Sequence, residues 1–366
     1  MFKCAYGSEV QVFEVSEVST VSSKVSSKMS LRSVWMVSGL AALVLLVSSC
    51  AAPPPRAASN DTAGSAAAAP ALTRIRLPMG YIPNVQYAPF YVAVKKGYFA
   101  AEGIEIEFDY KFETDGVKLV GAGELPFAIV SGDQVVLARA QKLPVKYVLQ
   151  WFRKFPIAII ASAKANINTP ADLKGKTVGV PGFFGASYVG WRAFLKANGL
   201  TESDVQQEVI GFTQIAALQE GKKDVVVGYI NNEPIVLEKN GVAVKVFAVS
   251  DQVDMVANGL MTNEKTMAEN PELVKGMSRA ILKGIQDTVA NPDEALQIST
   301  QYVEGLKADD AVQKAVLAAT IDVMKSDKYG VSNASSWENM QTVMIDMGQV
   351  TEKVDVATFF TNEFLP

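Results

Sequence analysis

The order of hydrophobic and polar positions along the chain predicts an α/β protein. Alternating apolar and polar residues in Arg74–Met79 and Ile104–Tyr110 have the period of half-buried strands. Short apolar runs bounded by turn residues predict further strands at Phe127–Val130, Val145–Gln150, Ile157–Ala161, Thr177–Val180, Val205–Ile210, Asp224–Val227 and Ala243–Val249. The apolar residues in the segments between these strands have helical spacing, so we expect a largely parallel sheet with crossover helices.

The pattern changes near Gly259, after which little indicates a strand. The remaining apolar spacing is that of amphipathic helices, predicted at Pro271–Ala290, Pro292–Tyr302, Ala308–Lys325 and Ser336–Met347. An α/β unit, a second α/β unit that begins near Asn168 and then helices together predict two lobes. A cleft between two lobes is a common site for a small ligand.

The N-terminus has the layout of a targeting segment. An apolar run, Leu40–Val47, follows Arg32 and is short for a transmembrane span, so we interpret residues 1–49 as a signal peptide. Because a complete signal peptide can begin at Met29, residues 1–28 fit an upstream extension. Val47-Ser48-Ser49-Cys50 resembles a bacterial lipobox, in which the cysteine is lipidated; the alternative is an uncleaved anchor with an incidental cysteine.

Residues 50–72 then combine the lipidated Cys50 with a tether rich in Ala and Pro. The globular part is expected from about Thr73. A lipid on Cys50 would hold it on the extracytoplasmic side of the cell membrane.

Composition removes several classes of function. The 366 residues include no histidine, which excludes Ser-His and Cys-His pairs and histidine metal sites. The two cysteines, Cys4 and Cys50, lie before the globular part, where disulfides and cysteine zinc sites are therefore excluded. A formal net charge of −4 gives no basic surface for nucleic acid. We expect no enzyme that depends on histidine or cysteine chemistry, and neither cofactor nor metal.

Candidate ligand-binding residues follow predicted strands, because open α/β sheets bind ligands at the carboxyl ends of their strands. A glycine-rich turn also precedes a helix here, and its backbone N–H groups can grip an electronegative atom. The candidates are Tyr81, Asn84, Tyr87, Asp133, Trp151, Phe183, Gly185, Ala186, Ser187, Tyr188, Tyr229 and Glu233.

Each candidate also has a purely structural explanation. Turn chemistry accounts for Asn84, an N-cap role for Asp133 and helix-dipole placement for Glu233. Packing accounts for the tyrosines and for Trp151, and the glycine-rich turn can be an ordinary strand–helix connection. Three cations, Arg153, Lys154 and Arg192, are candidates for contacts to an anion, so an anionic ligand stays an alternative.

The motifs resemble a known family. Pro83-Asn84, Phe90-Tyr91-Val92-Ala93, Lys96-Gly97-Tyr98-Phe99 and Glu102-Gly103-Ile104 are similar to the opening of ABC-importer substrate-binding proteins related to thiamine-pyrimidine synthase. The segment from Thr169 to Lys176 resembles the start of their second lobe. Two further motifs, Gly185-Ala186-Ser187-Tyr188 and Asn232-Glu233-Pro234, match the vitamin-precursor branch.

This resemblance implies a type II periplasmic-binding-protein fold in which two α/β lobes close on a ligand by hinge motion. Lobe one would contain 73–156 and 256–366, and lobe two 157–255. It also implies delivery of the ligand to an ABC permease. Two lobes joined by two crossings of the chain lead us to expect a monomer that closes on its ligand. Riboflavin is the favoured ligand, with a thiamine pyrimidine precursor such as formylaminopyrimidine or hydroxymethylpyrimidine as the alternative. A pyrimidine synthase is less favoured, because the related enzymes use a histidine.

Overall fold

The computed structural model describes residues 72–366, which form two α/β lobes. The predicted signal peptide, Cys50 and the tether up to residue 71 lie outside the described residues. The strands are β1 (Thr73–Pro78), β2 (Ile104–Asp109), β3 (Phe127–Val130), β4 (Val145–Gln150), β5 (Ile157–Ser162), β6 (Thr177–Val180), β7 (Gln206–Val209), β8 (Val225–Tyr229), β9 (Val244–Ala248) and β10 (Gly259–Asn263).

Helices cover these strands and build the C-terminal part of the described chain. The first seven are α1 (Ala88–Lys95), α2 (Tyr98–Ala101), α3 (Glu113–Gly121), α4 (Gly132–Ala140), α5 (Gly185–Ala197), α6 (Gln214–Gln219) and α7 (Glu233–Lys239). They are followed by α8 (Glu264–Glu269), α9 (Pro271–Ala290), α10 (Pro292–Ser299), α11 (Ala311–Met324) and α12 (Ala334–Asp346). None of these helices is both long and apolar enough to cross a bilayer.

The sheets are mixed, so the expectation of a largely parallel sheet is wrong. Lobe one has a parallel pair, β1–β2, and a three-stranded sheet in the order β3-β10-β4. Lobe two has the order β7-β6-β8-β5-β9. β10 is antiparallel to both neighbours, and so is β5, whereas β6 is parallel to β7 and β8. The antiparallel strands β5 and β10 are those next to the connections between the lobes, where the chain enters lobe two and returns from it.

β10 also corrects the expectation that little strand follows Gly259. All five of its residues are buried, because β10 is the central strand of its sheet and helices pack over it. A strand that is buried on both faces shows no alternation of apolar and polar residues. The sequence of β10, Gly-Leu-Met-Thr-Asn, therefore lacks the pattern by which a half-buried strand is detected.

The chain passes between the lobes in two neighbouring segments, residues 151–156 and 249–258. Backbone hydrogen bonds hold them together: the N–H groups of Trp151 and Phe152 donate to the carbonyl of Asn258 at 2.9 and 3.0 Å. We call this bonded pair of segments, which connects two lobes that each have their own sheet, the hinge.

The core extends through both lobes, and its largest buried side chains are aromatic. A continuous cluster includes Tyr91, Phe127, Tyr147, Trp191 and Trp337, each fully buried. A smaller cluster around Ile160 and Leu218 covers the opposite face of the lobe-two sheet. With apolar packing on both faces of that sheet, the ends of its strands are held rigidly enough to position a site.

Candidate ligand-binding site

A cavity lies between the lobes and encloses about 870 Å³ of space, including open solvent at its mouth. The residues of lobe one that line it are Gly80, Tyr81, Gln86, Tyr87, Phe112, Glu113, Thr114, Gln134, Trp151 and Phe152. The residues contributed by lobe two are Pro181, Gly182, Phe184, Gly185, Ala186, Ser187, Phe212, Gln214, Tyr229, Asn232 and Glu233, and Asn258 completes the wall from the hinge.

The strand order explains why these residues meet. The lining residues of lobe one follow β1, β2, β3 and β4, and those of lobe two follow β6, β7 and β8. Asn258 precedes β10 and does not follow it. Because β10 is antiparallel to its neighbours, its beginning lies at the same edge as their carboxyl ends. The site is thus formed where strand ends of two sheets face each other.

Aromatic rings form the inner wall of lobe one. Trp151 stacks on Tyr87 with ring centroids 5.4 Å apart and an interplanar angle of 24°, and it lies 4.0 Å from the ring of Phe152. The Trp151 indole N–H donates to Met324 Sδ at 3.1 Å, and the Tyr87 hydroxyl donates to the Met79 carbonyl at 2.7 Å. The polar atoms of these rings are satisfied by the protein, so the rings offer mainly apolar surface to a ligand.

Aromatic rings from both lobes meet at the mouth. Phe112 of lobe one contacts two rings of lobe two, Phe184 at 5.7 Å and Phe212 at 5.3 Å between centroids. Tyr81 meets Phe212 edge-on at 4.7 Å. Phe112, Phe184 and Phe212 are each more than a third exposed, at 43%, 47% and 36%. Large apolar side chains that remain this exposed mark a binding surface more often than a core.

A carboxyl group from lobe one lies in the floor of the cavity. Glu113 accepts hydrogen bonds from the N–H and the hydroxyl of Ser131 at 3.1 and 2.5 Å, and from the side-chain amide of Asn258 at 3.1 Å. Burial, together with the nearby charge of Asp133, nevertheless raises the pKa of Glu113 to about 8. This side chain can therefore donate or accept a hydrogen bond near neutral pH.

A second carboxyl group comes from lobe two. Glu233 is 3% exposed at the start of α7 and accepts the backbone N–H of Tyr229 at 2.8 Å. Burial raises its pKa to about 7. A Cβ on Gly228 would lie 2.9 Å from this carboxyl group, so glycine at that position makes room for it.

The helix α5 begins in the wall of the cavity. Gly185 has φ of 73°, a left-handed conformation that favours glycine. No side chain caps this end of the helix, although Gly185, Ala186 and Ser187 all line the cavity. Its first N–H groups are available to a ligand acceptor.

Four of the residues predicted from the sequence lie outside the lining. Asn84 caps the short 3-10 helix Val85–Tyr87 by accepting the N–H of Gln86 at 2.9 Å. Asp133 is fully buried, where its carboxyl accepts from Gln134 Nε2 at 2.7 Å and burial raises its pKa. The Tyr188 hydroxyl donates to Glu202 at 2.7 Å, and Phe183, half exposed, packs edge-on against the Tyr188 ring. Each has a structural partner in place of the cavity.

The other eight predicted residues line the cavity: Tyr81, Tyr87, Trp151, Gly185, Ala186, Ser187, Tyr229 and Glu233. Sequence reasoning missed Glu113, Gln134, Phe212 and Asn258. The first three follow β2, β3 and β7, so the strand-end rule would have found them had it been applied to every strand. Asn258 required knowledge of β10 and its direction.

The fold defines the class of this protein. Two α/β lobes around a cleft, connected by two segments of the chain, are the type II periplasmic-binding-protein fold. The alkanesulfonate-binding protein SsuA from Xanthomonas axonopodis pv. citri, solved bound to MOPS, superposes with a TM-score of 0.64 at 16% identity, covering 81% of this chain and 99% of that one. The sequence matches the NMT1/THI5 like family over residues 84–295, and the chain belongs to that family.

Three relatives have similar sequences. Riboflavin-binding protein RibY from Chloroflexus aurantiacus is 42% identical over 306 residues, covering 81% of this chain and 87% of the relative. A formylaminopyrimidine-binding protein from Halalkalibacterium halodurans is 31% identical over 281 residues, covering 74% and 84%. A 4-amino-5-hydroxymethyl-2-methylpyrimidine phosphate synthase from Legionella pneumophila is 25% identical over 301 residues, covering 80% and 93%.

Proposed function

We propose that this protein is the substrate-binding component of an ABC importer and that it binds riboflavin. The observation that carries the proposal is the lining of the cavity, where aromatic rings from both lobes combine with two carboxyl groups and no lysine or arginine. Riboflavin has a flat, uncharged ring system that such walls can sandwich. The similarity to RibY at 42% identity supports the same ligand.

The polar groups of the cavity suit the polar edge of the flavin ring, which carries one N–H between two carbonyls. Glu113 or Glu233 can accept the N–H. The side-chain amides of Gln134, Asn232 and Asn258 and the first N–H groups of α5 can donate to the carbonyls. Apolar burial of the ring would supply most of the affinity, at about 25 cal/mol per Å².

A formylaminopyrimidine is the second candidate ligand, favoured by the relative at 31% identity. It also carries N–H groups that a carboxylate can accept. Its single ring, however, would cover fewer of the aromatic side chains, particularly Phe112, Phe184 and Phe212 at the mouth. The extent of this aromatic surface therefore favours the larger ligand.

Binding without catalysis is the proposed activity, although one relative is named as a synthase. The chain has no histidine to act as general base or metal ligand. Within residues 72–366 no group of three acidic or cysteine side chains is arranged to hold a metal ion. The carboxyl groups at the site are better explained as hydrogen-bond partners of a ligand.

The remaining parts of the proposal concern location and assembly. We assign lobe one to 73–156 and 256–366, and lobe two to 157–255. A monomer is proposed to be anchored by a lipid on Cys50 to the extracytoplasmic face of the cell membrane, where it would pass its ligand to a permease. The lipobox-like Val47-Ser48-Ser49-Cys50 and the Ala/Pro-rich tether support this arrangement.

Competition calorimetry tests the ligand. Riboflavin is titrated into the purified protein, alone and after saturation with formylaminopyrimidine. We expect riboflavin to bind one site and the pyrimidine to compete weakly or not at all. Tight binding of the pyrimidine with no heat from riboflavin would contradict the ligand assignment, and no binding of either would contradict the vitamin-receptor proposal.

A further inference from the structure

The charged residues that line the cavity are all acidic. Glu113 and Glu233 are the ionisable acids of the lining, and no lysine or arginine stands among the lining residues. The two acids come from different lobes and both face the ligand space. Burial raises the pKa of Glu113 to about 8 and that of Glu233 to about 7, so the cavity disfavours a negative charge even on its own side chains.

The cations close in sequence to the lining have other partners. Lys111, directly before Phe112, pairs with Asp109 at 3.6 Å. Arg153 pairs with Asp254 at 3.7 Å, on the outer side of the hinge. Arg192 pairs with Glu202 at 2.7 Å and donates to the Tyr188 hydroxyl at 3.1 Å. None of these residues lines the cavity, and neither does Lys154. The lining at the mouth contains the rings of Phe112, Phe184 and Phe212, and none of these cations is part of it.

The donors that an anion can use here are uncharged: the first turn of α5 and the side-chain amides of Gln134, Asn232 and Asn258. A helix N-terminus carries about half a positive charge, whereas a phosphate monoester carries about −1.5 to −2 near neutral pH. The helix therefore cannot neutralise such a group, and the two carboxyls, in the ionised form that they take above their pKa values of about 8 and about 7, would repel what remains. A carbonyl oxygen, in contrast, is fully satisfied by those N–H groups.

We propose that this cleft selects uncharged riboflavin and rejects its 5′-phosphate ester, with Glu113 and Glu233 as the residues that determine the selectivity. The inference rests on the proposed function. It adds that the phosphate ester is excluded by its charge, through repulsion from the carboxyl groups, and not by its size.

The test compares three flavins by fluorescence titration at fixed ionic strength and at about pH 8.5, where both carboxyls are mostly ionised. Riboflavin and its neutral 5′-monoacetate should bind with similar affinity, and flavin mononucleotide should bind at least about 100-fold more weakly. Flavin mononucleotide binding within about threefold of riboflavin would overturn the inference. Rejection of the acetate as strongly as the phosphate would also overturn it, since size would then decide.

Charge-removing variants assign the effect to residues. Glu113→Gln and Glu233→Gln should each reduce the riboflavin-to-phosphate affinity ratio by about tenfold. Glu238→Gln is the matched control, because Glu238 is exposed on the same helix as Glu233. An unchanged ratio in both cavity variants, with folding verified by circular dichroism, would overturn the role of the carboxyls. Absence of binding by any flavin would overturn the proposed function itself and is thereby distinguished from a loss of selectivity.

Discussion

Asn258 donates its side-chain amide to Glu113 at 3.1 Å and so ties the hinge to the floor of the ligand cavity. On its other side, the Tyr229 hydroxyl of lobe two makes a long hydrogen bond of 3.5 Å to Asn258 Oδ1. The contact thus connects lobe one, the hinge and lobe two through a single side chain. A ligand that binds Glu113 or Tyr229 acts directly on the segment about which the lobes would move.

Removal of this connection should weaken both binding and closure. Asn258→Ala deletes the donor to Glu113 but keeps the backbone carbonyl that accepts from Trp151 and Phe152. We expect riboflavin affinity to fall about five- to tenfold, the loss of one hydrogen bond to a partly charged group. Small-angle scattering should show compaction of the wild type on binding and less compaction of the variant. Asn240→Ala, an exposed position in lobe two, serves as the control.

An unchanged radius of gyration in the wild type at saturating riboflavin would contradict hinge closure. Equal compaction and equal affinity of Asn258→Ala and the wild type would contradict the role given to Asn258.

The aromatic rings at the mouth should contribute affinity with little effect on stability. Phe184 and Phe212 are 47% and 36% exposed, so their replacement by alanine removes less buried surface from the folded protein than replacement of a core ring such as Trp151. We expect Phe184→Ala and Phe212→Ala each to weaken riboflavin binding about tenfold, as for aromatic anchors. Val209→Ala, at an exposed apolar residue of lobe two that does not line the cavity, should bind as the wild type does.

Trp151→Ala is a less informative variant. The indole is 4% exposed and stacks on Tyr87, so its removal should cost about 3–5 kcal/mol of stability. Chemical denaturation of each variant separates such a loss from a change in affinity. The aromatic account fails if Phe184→Ala and Phe212→Ala both retain wild-type affinity.

The pKa values of the two carboxyls predict how stability depends on pH. Burial raises the pKa of Glu233 to about 7 and that of Glu113 to about 8, both above the ordinary value of 4.5. The folded state therefore holds protons that the unfolded chain has released. The free energy of unfolding should fall as pH rises from about 5 to about 8, by an amount on the order of 5 kcal/mol for the two groups together. No histidine adds its own titration in this window.

Urea denaturation at several pH values measures this dependence. Glu113→Gln and Glu233→Gln should each flatten it, because an amide does not titrate. Asp115→Asn, an exposed residue on α3, should leave it as in the wild type. A double glutamine variant with an undiminished slope would show that other groups are responsible.

The limits of sequence reasoning follow from where the polar residues stand. Rings and carboxyls directly after apolar runs, such as Trp151 and Glu233, could be predicted because strand ends converge at one edge. Tyr188 stands in the same kind of position, but its direction on α5 turns it towards Glu202. Helix phase, and not sequence position, decides which side chain reaches the cavity.

Long-range pairing limited the prediction elsewhere. β10 pairs with β3 and β4, strands more than a hundred residues earlier, and its fully buried sequence has no period of its own. Without β10, Asn258 could not be placed at the edge where the ligand cavity forms. The C-terminal helices, by contrast, were predictable because their amphipathic spacing is a local property.

Lipidation at Cys50 should decide how the protein fractionates. Cys50 closes the segment that resembles a lipobox, so Cys50→Ser removes the proposed acylated sulfur. We expect the wild type in the membrane fraction and Cys50→Ser in the soluble fraction, and retention of Cys50→Ser in the membrane fraction would contradict the lipoprotein interpretation. Metabolic labelling with a palmitate analogue measures the acylation itself. Incorporation of label into Cys50→Ser at the wild-type level would contradict acylation at this residue.

The central claim is tested most directly by titrating riboflavin fluorescence with the purified wild-type protein. Aromatic rings that sandwich a flavin quench its emission, so the signal should fall and reach a plateau at one protein per flavin. Emission that stays constant up to about 100 µM protein, a concentration far above the range for a specific receptor, would contradict the proposal that the cleft between the lobes binds riboflavin.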